Sequence, residues 1–103
     1  MDLKNKIVLI TGSSQGIGKE AAILFAKEGS HVVITYNANK KKAEEVFNEC
    51  NKLKDALLLK LDVTNSESIK ECVEKTIDKF GAIDILVNNS GVSSWKSFLD
   101  RKE

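Results

Sequence analysis

Short apolar runs alternate along the chain with longer stretches of helical period. The first run, Ile7-Val8-Leu9-Ile10, is unbroken, as a strand buried on both faces requires. Ile17, Ala21, Leu24 and Phe25 then recur at helical spacing and mark the expected inner face of a first helix, with Gly29 as its natural stop. Residues 31–36 read as a second strand centred on Val32, Val33 and Ile34. Ala43, Val46, Phe47, Cys50 and Leu53 line one face of a second helix, while its Lys and Glu residues turn to solvent. Residues 56–61 predict a third strand. Thr64-Asn65-Ser66-Glu67 has the form of a capping box, in which hydroxyl and carboxylate satisfy free amides at a helix start. Ile69, Cys72, Val73, Thr76, Ile77 and Phe80 make a third helical face closed by Gly81, and residues 83–87 give a fourth strand.

A β-α-β-α-β-α-β order predicts one open parallel sheet with helices on its faces, because each right-handed crossover lays its helix on the sheet. All 103 residues fit a single domain. Toward the end, Trp95, Phe98 and Leu99 recur at helical spacing without a cap or a closing strand. The fourth strand, apolar enough to be buried, would lie at an open edge. The chain therefore reads like a domain cut after its fourth strand.

Composition narrows the class. With 42% hydrophobic and 30% charged residues, enough apolar surface exists to offset chain entropy, which excludes a mostly disordered chain. No apolar run approaches the ~20 residues of a membrane helix, and the run after Lys6 is too short for a signal peptide. A net charge of +1 leaves no polybasic footprint for nucleic acid or a membrane surface. Two cysteines without an export signal fit free thiols in a reducing, cytoplasmic setting. They fall on apolar helix faces and are too few for a structural zinc site, so no metal is expected. His31, the single histidine, fits a loop-edge role better than catalysis.

The most specific segment is Thr11-Gly12-Ser13-Ser14-Gln15-Gly16-Ile17-Gly18, between the first strand and the first helix. Its glycines let the backbone turn sharply and approach a bulky anion, and the helix start offers free amides to phosphate. Gly18 would also let the helix pack closely on the sheet. A Walker A loop fails, because Ser13 and Glu20 stand where it needs Gly and Ser or Thr. Gly16-x-Gly18-x-x-Ala21 does match the general dinucleotide pattern.

The T-G-x-x-x-G-x-G spacing resembles the short-chain dehydrogenase/reductase family. Leu61-Asp62-Val63-Thr64 closes the third strand, where that family places an Asp against the cofactor adenine. Asn88-Asn89-Ser90-Gly91 resembles its N-N-A-G motif with Ser for Ala, and Gly81-x-x-Asp84-Ile85-Leu86-Val87 resembles the usual approach to that motif. The likeness runs from Leu3 to about Lys96 and is nearest to 3-oxoacyl-acyl-carrier-protein reductases and related sugar dehydrogenases. It implies a Rossmann-type α/β sheet of order 3-2-1-4. It also implies a nicotinamide dinucleotide held by Gly12, Ser13, Ser14, Gln15, Gly16, Ile17 and Gly18, with Tyr36 and Asn37 at the adenosine ribose. Asp62 and Val63 would meet the adenine, and Asn88, Ser90 and Gly91 would line the far side. Asn89 either serves the ligand or pins strands together.

NAD-selective sites hold an acidic residue at the end of the second strand. Here Tyr36 or Asn37 stands there, no acid occurs between Ser30 and Ala43, and Lys40-Lys41-Lys42 follows. This favours NADP over NAD, although Gln15 replaces the family's helpful loop arginine and the lysines also suit a solvated helical turn.

The family's acid–base set is a Ser and a Tyr-x-x-x-Lys pair, in which the lysine lowers the phenol pKa. The chain offers only Tyr36 with Lys40, on the adenosine side, and Ser93, Ser94 and Ser97 come too early to be the catalytic serine. No catalytic residue is assigned, and the 103 residues alone are expected not to reduce carbonyl compounds. A homo-oligomer or a missing C-terminal half is the expected protein partner. One other reading stays open, a stand-alone nucleotide-binding module that self-associates through its open sheet edge; the T-G-x-x-x-G-x-G spacing and the N-N-S-G motif argue against a third, an adenosyl-cofactor methyltransferase using Asp62.

Overall fold

The computed structural model describes residues 2–89. Seven elements alternate: β1 (Ile7–Ile10), α1 (Gly16–Lys27), β2 (His31–Tyr36), α2 (Lys40–Leu53), β3 (Leu57–Lys60), α3 (Ser66–Phe80) and β4 (Ile85–Val87). The strands form one parallel sheet in the order β3-β2-β1-β4, with Ile10 opposite both Ile34 and Val87. The expected Rossmann-type α/β architecture and strand order are therefore present.

The two-residue period of β1 explains how the core divides. Val8 and Ile10 point into a cluster with Ala22, Ala26, Val32, Ile34, Val46 and Cys50, beneath α1 and α2. Leu9 points to the opposite face, joining Val33, Leu61, Ile69, Cys72 and Val73 beneath α3. All four β1 residues are buried, which accounts for the unbroken apolar run.

Three local expectations are corrected. The inner face of α1 centres on Gly18, Ala22 and Ala26; of the expected residues, Ala21 and Phe25 pack half-buried against the core, whereas Ile17 and Leu24 are 78% and 63% exposed. Small residues at four-residue spacing bring the helix close to the sheet and leave the larger side chains outside. The capping box does not form. Asn65 caps α3 by accepting from the Ser68 N–H, while the Thr64 hydroxyl donates to Asp62 Oδ1. Leu53 and Ile77, expected on inner helix faces, are 50% and 37% exposed. Trp95, Phe98 and Leu99 lie outside the described residues.

Because every strand runs the same way, their carboxyl ends share one edge of the sheet. Two backbone bonds extend the ladder there: Thr11 N–H to Val87 O at 3.0 Å, and Leu61 N–H to Tyr36 O at 2.7 Å. The loops leaving β1, β2, β3 and β4 therefore converge on one crevice, the usual place for a ligand in an open parallel sheet.

Candidate cofactor site

The glycine loop leaves β1 through the buried Thr11 and turns at Gly12, whose φ of +60° suits glycine. Ser13 faces inward and is fully buried. Its hydroxyl donates to Ile10 O at 3.0 Å and accepts from the Thr35 N–H at 2.8 Å. The Thr35 hydroxyl donates to the same Ile10 carbonyl at 2.9 Å. These bonds fasten the loop to the ends of β1 and β2, so the Ser13 side chain shapes the site from within.

Gly18 answers to a closer neighbour than the sheet. A Cβ there would collide with the carbonyl of Gly12, with Gly12 C at 2.9 Å and Ser13 Cα at 3.0 Å. The contact that demands glycine is thus between the first turn of α1 and the loop backbone. Gly16, at φ +62°, has no atom within 4 Å of a notional Cβ, so its outer side is open.

The start of α1 differs from the other two helix starts. Asn39 accepts from the Lys42 N–H and Asn65 from the Ser68 N–H, whereas Gln15, the residue before α1, makes no side-chain cap bond. The first intrahelical bond runs from Lys19 N–H to Gln15 O at 3.3 Å, so the amides of Gly16, Ile17 and Gly18 precede the helical ladder. No acidic side chain occupies this first turn. Instead Gln15 Oε1 accepts from Lys42 Nζ at 3.1 Å, across from the first turn of α2.

Beside this turn lies a cleft of about 290 Å³, lined by Gly12, Ser14, residues 35–39, Leu61 and Val63. It thus joins the ends of β1, β2 and β3. Asp62 flanks it. Its Oδ1 accepts from the Thr64 hydroxyl at 2.6 Å and the Thr64 N–H at 3.0 Å. These two bonds, with Lys60 nearby, hold the carboxyl below the usual carboxylate range. Asp62 does not cap α3; its own N–H donates to Ser68 Oγ at 2.8 Å.

Asn88 Oδ1 lies 3.5 Å from the Thr11 hydroxyl, at the crevice edge. Asn89 Nδ2 donates to Gly12 O at 3.4 Å, which ties the end of β4 to the loop and favours the pinning alternative. Ser90 and Gly91 lie outside the described residues. Tyr36 and Asn37 line the cleft, while Ile17 stands exposed at the start of α1. Lys42 and Thr35 were not in the expected residue set. The Lys40-Lys41-Lys42 run hinted at the first, but nothing local marks which lysine turns toward a loop 27 positions earlier.

Comparison with known proteins bears on the family and the fold. The family model described as short chain dehydrogenase matches residues 6–103. The 3-oxoacyl-acyl-carrier-protein reductase FabG of Staphylococcus epidermidis is 35% identical over 100 residues, covering 96% of this chain and 41% of that protein. Its Staphylococcus aureus counterpart is 34% identical over 99 residues, covering 95% and 40%. Among solved structures, hydroxysteroid dehydrogenase from Escherichia coli matches with a TM-score of 0.80 at 38% identity, over 87% of this chain and 38% of that one. A Burkholderia cenocepacia protein described as a dehydrogenase with bound NADP matches with a TM-score of 0.79 at 30% identity, over 84% and 34%. The chain spans about two fifths of the length of the curated relatives it matches. With the family's loop, strand order and crevice all present, the chain belongs to the short-chain dehydrogenase family.

Proposed function

We propose that residues 2–89 form the adenosine-diphosphate half of a nicotinamide dinucleotide site, with NADP preferred over NAD. The observation that carries this reading is the uncapped, acid-free start of α1 beside an open Gly16 and a cleft at three strand ends. The amides of Gly16, Ile17 and Gly18 hold the pyrophosphate, since a helix start presents N–H donors and a positive dipole end to an anion. Gly12 and Ser14 let it approach, and Ser13 keeps the loop in place from below. Tyr36 and Asn37 border the adenosine ribose. Asp62 Oδ2 accepts from the adenine amino group while Oδ1 stays on Thr64, and Val63 covers the ring. Asn88 borders the nicotinamide side.

A bound reduced nicotinamide cofactor would give hydride to a carbonyl substrate, as in a 3-oxoacyl thioester reduction, and the oxidised cofactor would take it back from the alcohol. The described residues bind and orient; none of them stands as a proton donor to such a substrate. Tyr36 and Lys40 sit at the adenosine end, so the 103 residues alone are proposed to bind without turnover. Equilibrium binding followed by NADPH fluorescence tests the first part, with NADPH expected to bind more tightly than NADH. Steady NADPH oxidation with an acetoacetyl thioester would overturn the second part. Self-association through β4 is a second reading, favoured by its place at the sheet edge with half-buried residues. Light scattering over a concentration series tests it, and a monomer throughout would refute it.

A further inference from the structure

The three lysines that open α2 are not equivalent. Lys40, Lys41 and Lys42 are all exposed, but successive helical positions point about 100° apart, and of the three Lys42 is the one whose ammonium hydrogen-bonds the glycine loop. Its N–H is held by Asn39 Oδ1 at 3.3 Å, which fixes the first turn of the helix. Its Nζ then reaches Gln15 Oε1 at 3.1 Å. Gln15 follows Ser14 on one side of the cleft, and Asn39 precedes α2 on the other, so this bond bridges the two sides.

We propose that Lys42, held across the cleft by Gln15, is the residue that selects a 2′-phosphorylated adenosine nucleotide. The proposal rests on the site assignment above and deepens it. An ammonium carries three donors. One is satisfied by Gln15, which leaves two for phosphate oxygens without breaking the bridge. The Gln15 amide carbonyl faces the lysine, and its NH₂ group adds further donors. Gln15 supplies no charge of its own but positions one from α2. The residues lining the cleft include no carboxylate, and Asp62, which flanks it between Leu61 and Val63, has Oδ1 engaged by Thr64. Because the side chain of Gln15 is engaged with Lys42, it makes no cap bond to the α1 amides, which remain for the pyrophosphate.

The test compares 2′,5′-ADP with 5′-ADP by calorimetry on the 103-residue protein. These probes need only the adenosine side and differ only in the 2′-phosphate. The native protein should prefer 2′,5′-ADP. Lys42→Gln should weaken 2′,5′-ADP about tenfold and leave 5′-ADP within about twofold, the scale of one lost charge-assisted bond. Lys42→Arg should retain the preference, and Gln15→Ala should reduce it about threefold by releasing the lysine. Lys40→Gln and Lys41→Gln should change both ligands by less than about twofold. If Lys42→Gln changes neither ligand, or both equally, the selective role is refuted while the site stands. If the native protein binds neither probe, the site assignment fails and the selective role fails with it.

Discussion

Gly18→Ala is the most informative single perturbation of the loop. The added methyl carbon would fall 2.9 Å from Gly12 C and 3.0 Å from Ser13 Cα, as well as on the Gly12 carbonyl. Non-bonded carbons rest at about 3.5–4.0 Å, so the loop must withdraw by about 0.5 Å or more. All three obstacles are backbone atoms, and the loop is anchored by the Ser13 bonds to Ile10 and Thr35, so it yields poorly. Overpacking of this kind costs about 1–3 kcal/mol. Alanine in place of glycine in a helix returns up to roughly 1 kcal/mol. The net expectation is a loss of about 1–2 kcal/mol, visible in urea as a midpoint lowered by about 0.5–1.5 M. NADPH affinity should fall about tenfold or more, because the displaced turn carries the phosphate-binding amides. Gly16→Ala makes a useful contrast: it meets no atom within 4 Å but is strained at φ +62°. Gly16→Asn should therefore recover much of the loss, since asparagine tolerates that conformation, whereas Gly18→Asn should not. Native stability and native affinity in Gly18→Ala would refute the close-contact reasoning.

Other consequences follow from particular bonds. Ser13→Ala removes the acceptor of the buried Thr35 N–H and should cost about 1–3 kcal/mol in a urea melt, with a weakened loop and lower NADPH affinity. Burial pushes the Cys50 thiol up to about 11, with Glu49 adding to it, and the Cys72 thiol up to about 12. Unfolded thiols ionise near 9.0, so above that pH the unfolded chain holds fewer protons and stability falls as pH rises. By pH 10 each thiol should have lost about 1 kcal/mol relative to pH 8, and Cys50→Ala with Cys72→Ala should flatten this part of the profile. The Asp62 carboxyl is depressed, chiefly by its two Thr64 bonds, so its contribution is present above the ordinary carboxylate range and lost as pH falls through its folded value. Asp62→Ala should therefore be less stable than the native protein at pH 7, and thermal melts of the two should converge in acid.

The sheet was legible because its strands are buried on both faces, so Ile7–Ile10 and His31–Tyr36 announce themselves as continuous apolar runs. The inner face of α1 was not, because burial there depends on the smallness of Gly18, Ala22 and Ala26, while hydrophobic periodicity weights the larger Ile17 and Leu24. The capping box does not form because Asn65, not Thr64, stands directly before α3, so its Oδ1 takes the Ser68 N–H, while the Thr64 hydroxyl donates to the Asp62 carboxylate. The glycine loop could be recognised from spacing alone because each glycine relieves a separate backbone constraint. The Ser13–Thr35 lock and the Lys42–Gln15 bridge join residues 22 and 27 positions apart, and single polar side chains leave no periodic trace.

The most direct test is a nitrogen-15 NMR titration of the chain with NADPH. Amide shifts should cluster at Gly12 to Gly18, Tyr36 and Asn37, and Asp62 and Val63, all at the carboxyl ends of the strands. Shifts confined to the opposite edge, around Lys6, His31 and Asp84, or no shifts at saturating NADPH, would contradict a dinucleotide site in this crevice.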